Sequence, residues 1–150
     1  MLFFTFTIAK VQNENHLTLH FALKLPRLPE FKILCGYGAI EGKLTFAFVQ
    51  DSDRKAGALD GIGADKIEKL YAQAIRVGAP VIGVFDSAGA VVWDGASALS
   101  AYGRVMKCVS DASGIIPQIA LISGSCTGMA SAIAAMFESS SPCCPTVIEP

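Results

Sequence analysis

No histidine follows His20 in this 150-residue sequence. A serine or cysteine nucleophile in the later part of the chain has no imidazole near it to serve as its base. The phosphate-loop spacing G-x-x-x-x-G-K-[ST] is absent. The five cysteines, Cys35, Cys108, Cys126, Cys143 and Cys144, contain no C-x-x-C pair and no neighbouring histidine to complete a zinc site. No metal is expected, and the thiols read as reduced, as in a cytoplasmic protein. Net charge is also nearly absent, with 12 Lys and Arg against 13 Asp and Glu. Nucleic acid and anionic membrane are therefore not expected partners.

The scarcity of charge is uneven. Residues 1–34 carry Lys10, Lys24, Arg27 and Lys32 against Glu14 and Glu30, a net of +2, and hold both histidines, His16 and His20; the remainder is net −3. The apolar start Met1-Leu-Phe-Phe-Thr-Phe lacks a basic region and a small-x-small cleavage site, so it is not read as a signal peptide. No charge occurs between Asp111 and Glu138, where Gly124 and Gly128 stand in G-x-x-x-G spacing. Pro117, Gln118, Ser123, Ser125, Thr127 and Ser131 interrupt that stretch, which suits a strand, a polar turn and a buried helix better than a membrane span. With 52% hydrophobic and 17% charged residues, the chain has the means to build one packed core.

Leu17, Leu19, Phe21, Leu23 and Leu25 alternate with polar or small residues, the pattern of a half-buried strand closed by Pro26 and Pro29. From Ile33 the sequence predicts a hairpin, with strands reaching Ile40 and running over 44–49 around a turn at Glu41-Gly42-Lys43. Residues 51–63 read as a polar, flexible loop. Ile67, Leu70, Tyr71, Ala74 and Ile75 then predict a helix from about Asp65 to Val77, stopped by Gly78 before Pro80. Val81–Phe85 and Ile119–Ile122 are short apolar runs of the buried parallel kind. Ala98, Tyr102, Val105, Met106 and Val109 place a helix between them, starting near Asp94 or Ser97, and a third is expected over 129–137. The order is β-α-β-α-β-α. Right-handed crossovers then put the turns Asp86–Ala90 and Ser123–Gly128 on one edge of a parallel sheet, each presenting N–H groups from a helix start. Residues 139–150, rich in Ser and Pro, read as a disordered end.

Ser87 stands in a strand-to-helix turn resembling G-x-S-x-G with Phe85 in place of the first glycine, but a hydrolase reading lacks its base. Asp51, Asp53, Asp60, Asp86, Asp94 and Asp111 fall at loops and helix ends, where capping and solvation account for them. What remains is chemistry by the backbone, with two Gly-rich turns offering N–H donors to a carbonyl oxygen that becomes an enolate or oxyanion.

The strings Cys35-Gly-Tyr-Gly-Ala-Ile-Glu-Gly-Lys, Phe46-Ala-Phe-Val-Gln-Asp, Val77-Gly-Ala-Pro-Val-Ile-Gly-Val-Phe-Asp-Ser and Ala112-Ser-Gly-Ile-Ile-Pro-Gln-Ile strongly resemble the N-terminal half of the acyl-CoA carboxyltransferases. These are β subunits of biotin-dependent acetyl-CoA and propionyl-CoA carboxylases and related decarboxylase subunits. The resemblance runs from about Cys35 to Glu138. It implies a crotonase-like α/β fold of stacked ββα units, with a first half that binds the CoA thioester and a C-terminal half that binds carboxybiotin. The activity it implies is transfer of a carboxyl group between carboxybiotin and an acyl-CoA such as acetyl-CoA or propionyl-CoA, with decarboxylation as a variant. Biotin would be carried by a partner, so the implied partners are a biotin carboxyl carrier, a biotin carboxylase component and further copies of the chain. Carried across, Gly89 and Ala90 with Gly128 and Met129 are the expected N–H donors. Ser87, Ala88, Gly124 and Cys126 line the same turns, and Arg54 and Lys55 reach towards CoA phosphates.

Ala88 and Met129 stand where the family usually has Gly, and Val91 where it usually has Arg, so a charge is missing from the expected site edge. Ala56-Gly57-Ala58 replaces the usual G-G-S. Residues 1–34 and 139–150 resemble nothing in the family. A gene fragment, or a chain out of frame at both ends, would read this way; it would leave an apolar face open to self-association, and would at most bind CoA or a partner subunit. Cys126 at a turn is read as a packed structural thiol rather than a reactive one.

Overall fold

The computed structural model describes residues 2–3, 8–9, 20–21, 33–40, 42–50, 57–89 and 95–142. Within them a six-stranded sheet is ordered β1-β4-β5-β6-β7-β8, with β1 at Leu2–Phe3, β4 at Ile33–Ile40, β5 at Lys43–Gln50, β6 at Val81–Ser87, β7 at Gln118–Cys126 and β8 at Ser139–Pro142. β2 (Ile8–Ala9) and β3 (His20–Phe21) pair antiparallel apart from it; the rest of the expected 17–25 strand lies outside the described residues. β4 and β5 form the expected hairpin, and β5, β6 and β7 run parallel. The crossovers are helices α1 (Gly61–Val77) and α2 (Gly95–Ala112), and α3 (Met129–Ala135) follows β7.

Three boundaries differ from the sequence reading. α1 begins at Gly61 rather than near Asp65, because Asp60 in extended backbone caps it, its Oδ1 accepting the Gly63 N–H at 2.8 Å. Gly61 and Gly63 are thus first-turn residues and not loop, and a Cβ at Gly63 would press on the Ile33 side chain of β4. β7 continues through Ser123–Cys126, read as a turn, since pairing with β6 persists to Ser87 opposite Cys126 across a register irregularity. Ser139–Pro142, expected to be disordered, adds an edge strand parallel to β7; Pro142 ends it, where a missing N–H costs little. Residues 143–150 lie outside the described residues.

The helices cover one face of the sheet. Phe46, Phe48, Val81, Phe85 and Ala120 meet the predicted stripes Ile67, Leu70, Tyr71 and Ala74 of α1 and Ala98, Tyr102, Val105 and Val109 of α2. Phe48, Phe85 and Phe137 form an edge-on triangle with ring centroids 5.5–6.4 Å apart, which fixes the end of α3 beneath the sheet's carboxyl edge. Each such pair contributes about 0.5–1.5 kcal/mol beyond its burial. On the other face Ala47, Ile82 and Val84 are 2–7% exposed, so that face is not open at these residues.

The strings that carried the resemblance have structural work in this core. Gly78, left-handed at φ 70°, closes α1 by donating to the Ala74 and Ile75 carbonyls. The Pro80 and Pro117 carbonyls accept from Phe46 and Val81, which sets the strand registers. Gln118, 1% exposed, accepts from the Tyr71 hydroxyl at 2.9 Å and donates to the Val109 carbonyl at 3.1 Å, joining α1, α2 and β7. Arg104 of α2 reaches Asp65, Glu68 and the Gly61 carbonyl of α1, but all three side chains are partly exposed, so the bridge adds little.

Tyr71→Phe strips the buried Gln118 oxygen of its donor and is expected to lower stability by about 1–3 kcal/mol in urea unfolding. Tyr102→Phe removes a buried hydroxyl that lies by the Leu59 backbone and the Ser87 hydroxyl but closes no hydrogen bond of ordinary geometry among the described residues, and should cost under about 1 kcal/mol. Burial pushes the Cys35 thiol from 9.0 up to about 12, with Lys66 acting weakly the other way. Below pH 9 the thiol is neutral in both states; above it only the unfolded chain ionises. Stability should therefore fall by up to about 4 kcal/mol as pH rises from about 9 towards 12, and Cys35→Ala should flatten that fall. Identical alkaline slopes for the two proteins would refute the assignment.

Candidate functional site

The parallel strands all end at one edge of the sheet, where α/β proteins place ligands. Gln50, Ser87 and Cys126 are the last residues of β5, β6 and β7. The Gln50 side chain is 4% exposed, and its Oε1 has no hydrogen-bond partner among the described residues. Beyond Ser87 the two expected turns meet. The Thr127 N–H donates to the Ser87 carbonyl at 3.2 Å, and the Ser123 hydroxyl donates to the Phe85 carbonyl at 3.3 Å.

Glycines make this meeting sterically feasible. Gly57, left-handed at φ 67°, packs so closely that a Cβ would overlap the Asp86 carbonyl oxygen and stand 3.0 Å from Ser87 Cα. Gly124 presents its open face to the Asp86 carboxylate, which accepts the Ser125 N–H at 3.0 Å. Gly128 is different: nothing lies within 4 Å of a Cβ there, but φ 61° and ψ −131° are conformations that only glycine adopts without strain. Met129 already belongs to α3, and its side chain packs against the core, so a side chain where the family usually has Gly is accommodated.

Of the ten expected site residues, the structure brings together Ser87, Ala88, Gly89, Gly124, Cys126, Gly128 and Met129 along β6, β7 and the turns that follow. Ala90, Arg54 and Lys55, like Val91, lie outside the described residues. Gly128 and Met129 stand at the start of α3, where first-turn N–H groups have no intrahelical acceptor. Gly89 does not stand at a helix start, because α2 begins only at Gly95. Its N–H donates to Ser87 Oγ at 3.2 Å, and that hydroxyl in turn looks at the Gly89 carbonyl at 3.5 Å. Ser87 is fully buried, with no histidine among the described residues of the sheet's edge, so no hydrolase constellation forms.

Sequence reasoning missed Gly57 and Asp86. Gly57 was placed in a flexible loop and Asp86 among capping, solvated acids; instead both are packing elements of the turn. Neither contact has a signature in sequence spacing, since each joins distant segments.

The electrostatics of the turns are neutral apart from Asp86. Burial raises the Cys126 thiol above its ordinary 9.0, in line with the packed reading. Burial also raises the Tyr102 hydroxyl, while the Leu59 backbone and the Ser87 hydroxyl act against the shift. Among the described residues no cluster of His, Cys, Asp or Glu is placed to hold a metal ion, and no helix is long and apolar enough to cross a membrane.

Residues 10–139 match the model of the carboxyl transferase domain family. The chain is 39% identical over 114 residues to the methylmalonyl-CoA decarboxylase subunit alpha of Veillonella parvula, covering 76% of this chain and 22% of that protein. It is 44% identical over 102 residues to the mitochondrial propionyl-CoA carboxylase beta chain of Homo sapiens, covering 68% and 19%. Among solved structures, the transcarboxylase 12S hexamer core with methylmalonyl-coenzyme A bound superposes with a TM-score of 0.72 at 32% identity, over 74% of this chain and 22% of the other. The chain thus spans about a fifth of the length of the curated relatives it matches.

Gly57→Ala must displace the Asp86 carbonyl and should destabilise by about 2 kcal/mol or more. Gly103→Ala, in open space on α2, should stabilise by about 0.5–1 kcal/mol. Cys126 should react with iodoacetamide at neutral pH more slowly than the same thiol in the urea-unfolded chain, with the gap closing as pH rises past its raised pKa.

Proposed function

Since the chain belongs to the carboxyl transferase domain family, a family of acyl-CoA carboxyltransferase enzymes with the crotonase-like α/β fold, we propose that it forms the acyl-CoA-binding side of a carboxyltransferase component in a biotin-dependent carboxylase. The observation that carries this reading is the meeting of two N–H-bearing turns at the carboxyl ends of β6 and β7. The thioester carbonyl of an acyl-CoA, acetyl or propionyl, lies between Gly89 and Ala90 on one side and Gly128 and Met129 on the other. Carboxybiotin on a carrier protein would release its carboxyl group as carbon dioxide, and the ureido nitrogen so freed would take the α proton of the acyl group; the enolate carbon would then form the new bond to that carbon dioxide, while the N–H groups hold the oxygen that becomes negative. Removing one donor from such a hole costs about 3–4 kcal/mol of barrier.

The bond from Gly89 to Ser87 Oγ fits this chemistry. A neutral carbonyl oxygen gains little by displacing a hydroxyl oxygen from that N–H, but an enolate oxygen forms a charge-assisted bond about twice as strong. The donor therefore favours the transition state over bound substrate, which is what accelerates a reaction. Ser87 serves as the resting partner of the donor rather than as a nucleophile.

A second reading is favoured by the identity to a methylmalonyl-CoA decarboxylase subunit. There the same enolate would arise by loss of carbon dioxide from a carboxylated acyl-CoA, held by the same donors. Arg54 and Lys55 would meet the CoA phosphates in either case, and the proposed compartment is the cytoplasm.

Titration with propionyl-CoA, followed by amide exchange, tests the site. Saturation should slow exchange at Gly89, Ala90, Gly128 and Met129, and unchanged exchange at all four would remove the assignment. Supplying carboxybiotin or methylmalonyl-CoA then separates the chemistries: carboxylated product supports the first reading, carbon dioxide release the second, and neither leaves binding alone.

A further inference from the structure

Asp86 is the one charged side chain among the described residues of the two turns, and the proposed chemistry leaves it without a role. Its placement is unusually constrained. It is the penultimate residue of β6, beside the irregularity in pairing with β7. On one side its carbonyl lies against Gly57, so closely that no side chain fits. On the other its carboxylate lies over Gly124, with all three terminal atoms in the space a Cβ would need, and Oδ1 accepts the Ser125 N–H at 3.0 Å. Ser125 is two residues before Thr127, whose N–H reaches the Ser87 carbonyl at 3.2 Å and whose carbonyl and hydroxyl lie 3.5 and 3.6 Å from where a Gly89 Cβ would stand.

We propose that Asp86 is a positioning residue, a carboxylate latch that holds the end of β7 against the end of β6 and so fixes the spacing between the Gly89 and the Gly128–Met129 donors. The reason for a carboxylate is geometric and electrostatic together. A strand end that has left regular pairing has an N–H the ladder no longer holds, and the Ser125 N–H is exposed, so only a well-placed acceptor competes with water for it. An ionised acceptor on the neighbouring strand binds it more strongly than a neutral one. Gly124 is the complement, because only a residue without Cβ lets the carboxylate lie flat enough to reach the next N–H. The latch rests on the proposed donor site for its purpose, but its existence is testable without ligand.

The test uses the full chain and three variants, Asp86→Ala, Asp86→Asn and Gly124→Ala, with amide exchange as the first readout. Asp86→Ala should speed exchange at Ser125 about tenfold or more and also at Gly128 and Met129, while Phe48 and Val84 in the sheet stay protected. Asp86→Asn keeps an acceptor oxygen and should return Ser125 to within about threefold of the parent. Gly124→Ala retains the carboxylate but pushes it away, so it should reproduce the Asp86→Ala pattern, and the double variant should be no worse than either single one. Unchanged Ser125 exchange in Asp86→Ala, or an Asn variant as damaged as the Ala variant, overturns the latch. Uniform loss of protection including Phe48 and Val84 also overturns it, since that is general destabilisation.

Propionyl-CoA binding is the second readout. Affinity should fall about tenfold in Asp86→Ala and Gly124→Ala and recover in Asp86→Asn. If the parent chain binds no propionyl-CoA, the functional reading fails while the exchange results still decide the latch. If the parent binds and Asp86→Ala binds equally well with altered exchange, the positioning role is overturned and the functional reading stands.

Discussion

A Cβ on Gly57 would overlap the Asp86 carbonyl, and one on Gly124 would intrude on its carboxylate, so the segment before α1 and the end of β7 both close on Asp86 only because these positions are glycine. Main chain packed directly on main chain is the constraint to which the neighbouring elements conform. The pairing of β6 with β7 is irregular just before Ser87, and N–H groups there find acceptors outside the ladder: Asp86 for Ser125, the Ser87 carbonyl for Thr127, and the Ser87 hydroxyl for Gly89. Polar backbone at a strand end needs such partners, or it loses the free energy of a hydrogen bond it made with water in the unfolded chain.

The layer below holds these ends still. The Phe48, Phe85 and Phe137 triangle ties the carboxyl-terminal halves of β5 and β6 to the segment just past α3. The buried Tyr71, Gln118 and Val109 chain ties both crossover helices to the start of β7. The first is apolar and the second polar, and they act at opposite ends of the strands. Gly83 serves the first by leaving room for the Phe48 ring, which a Cβ would approach to 2.6 Å.

Features whose cause is local were legible in the sequence. The hairpin over β4 and β5, the apolar runs of β6 and β7 and the helical stripes follow from period and burial, and Gly78 ended α1 where a left-handed residue with a free N–H was needed. What was not legible depends on contacts between distant segments. α1 was expected to start near Asp65, and its start at Gly61 rests on the Asp60 cap together with Gly63 leaving room for Ile33 of β4. Ser123–Cys126 has turn composition yet pairs as strand, because β6 lies beside it. Ser139–Pro142 has the composition of a tail and is ordered by β7. That the two turns would lie together was legible from the resemblance and from their position after buried strands. Asp86 and Gly57 were missed because an aspartate that caps and an aspartate that latches look alike in one dimension.

The balance of charge at this edge bears on what kind of chemistry it supports. Burial raises the Cys126 thiol and the Tyr102 hydroxyl, so each keeps its proton at neutral pH. The Asp86 carboxylate is directed at a peptide N–H. The thiol and the phenol are both neutral groups near pH 7. A peptide N–H keeps its proton through the neutral range, and the Gly89 N–H rests on a neutral acceptor, the Ser87 hydroxyl, rather than on a charged one. Neutral, close-packed surroundings strengthen the N–H dipole's hold relative to water. Among the described residues of this edge, glycine lets other segments close on Asp86, and the polar groups gathered there are mostly peptide N–H and C=O groups.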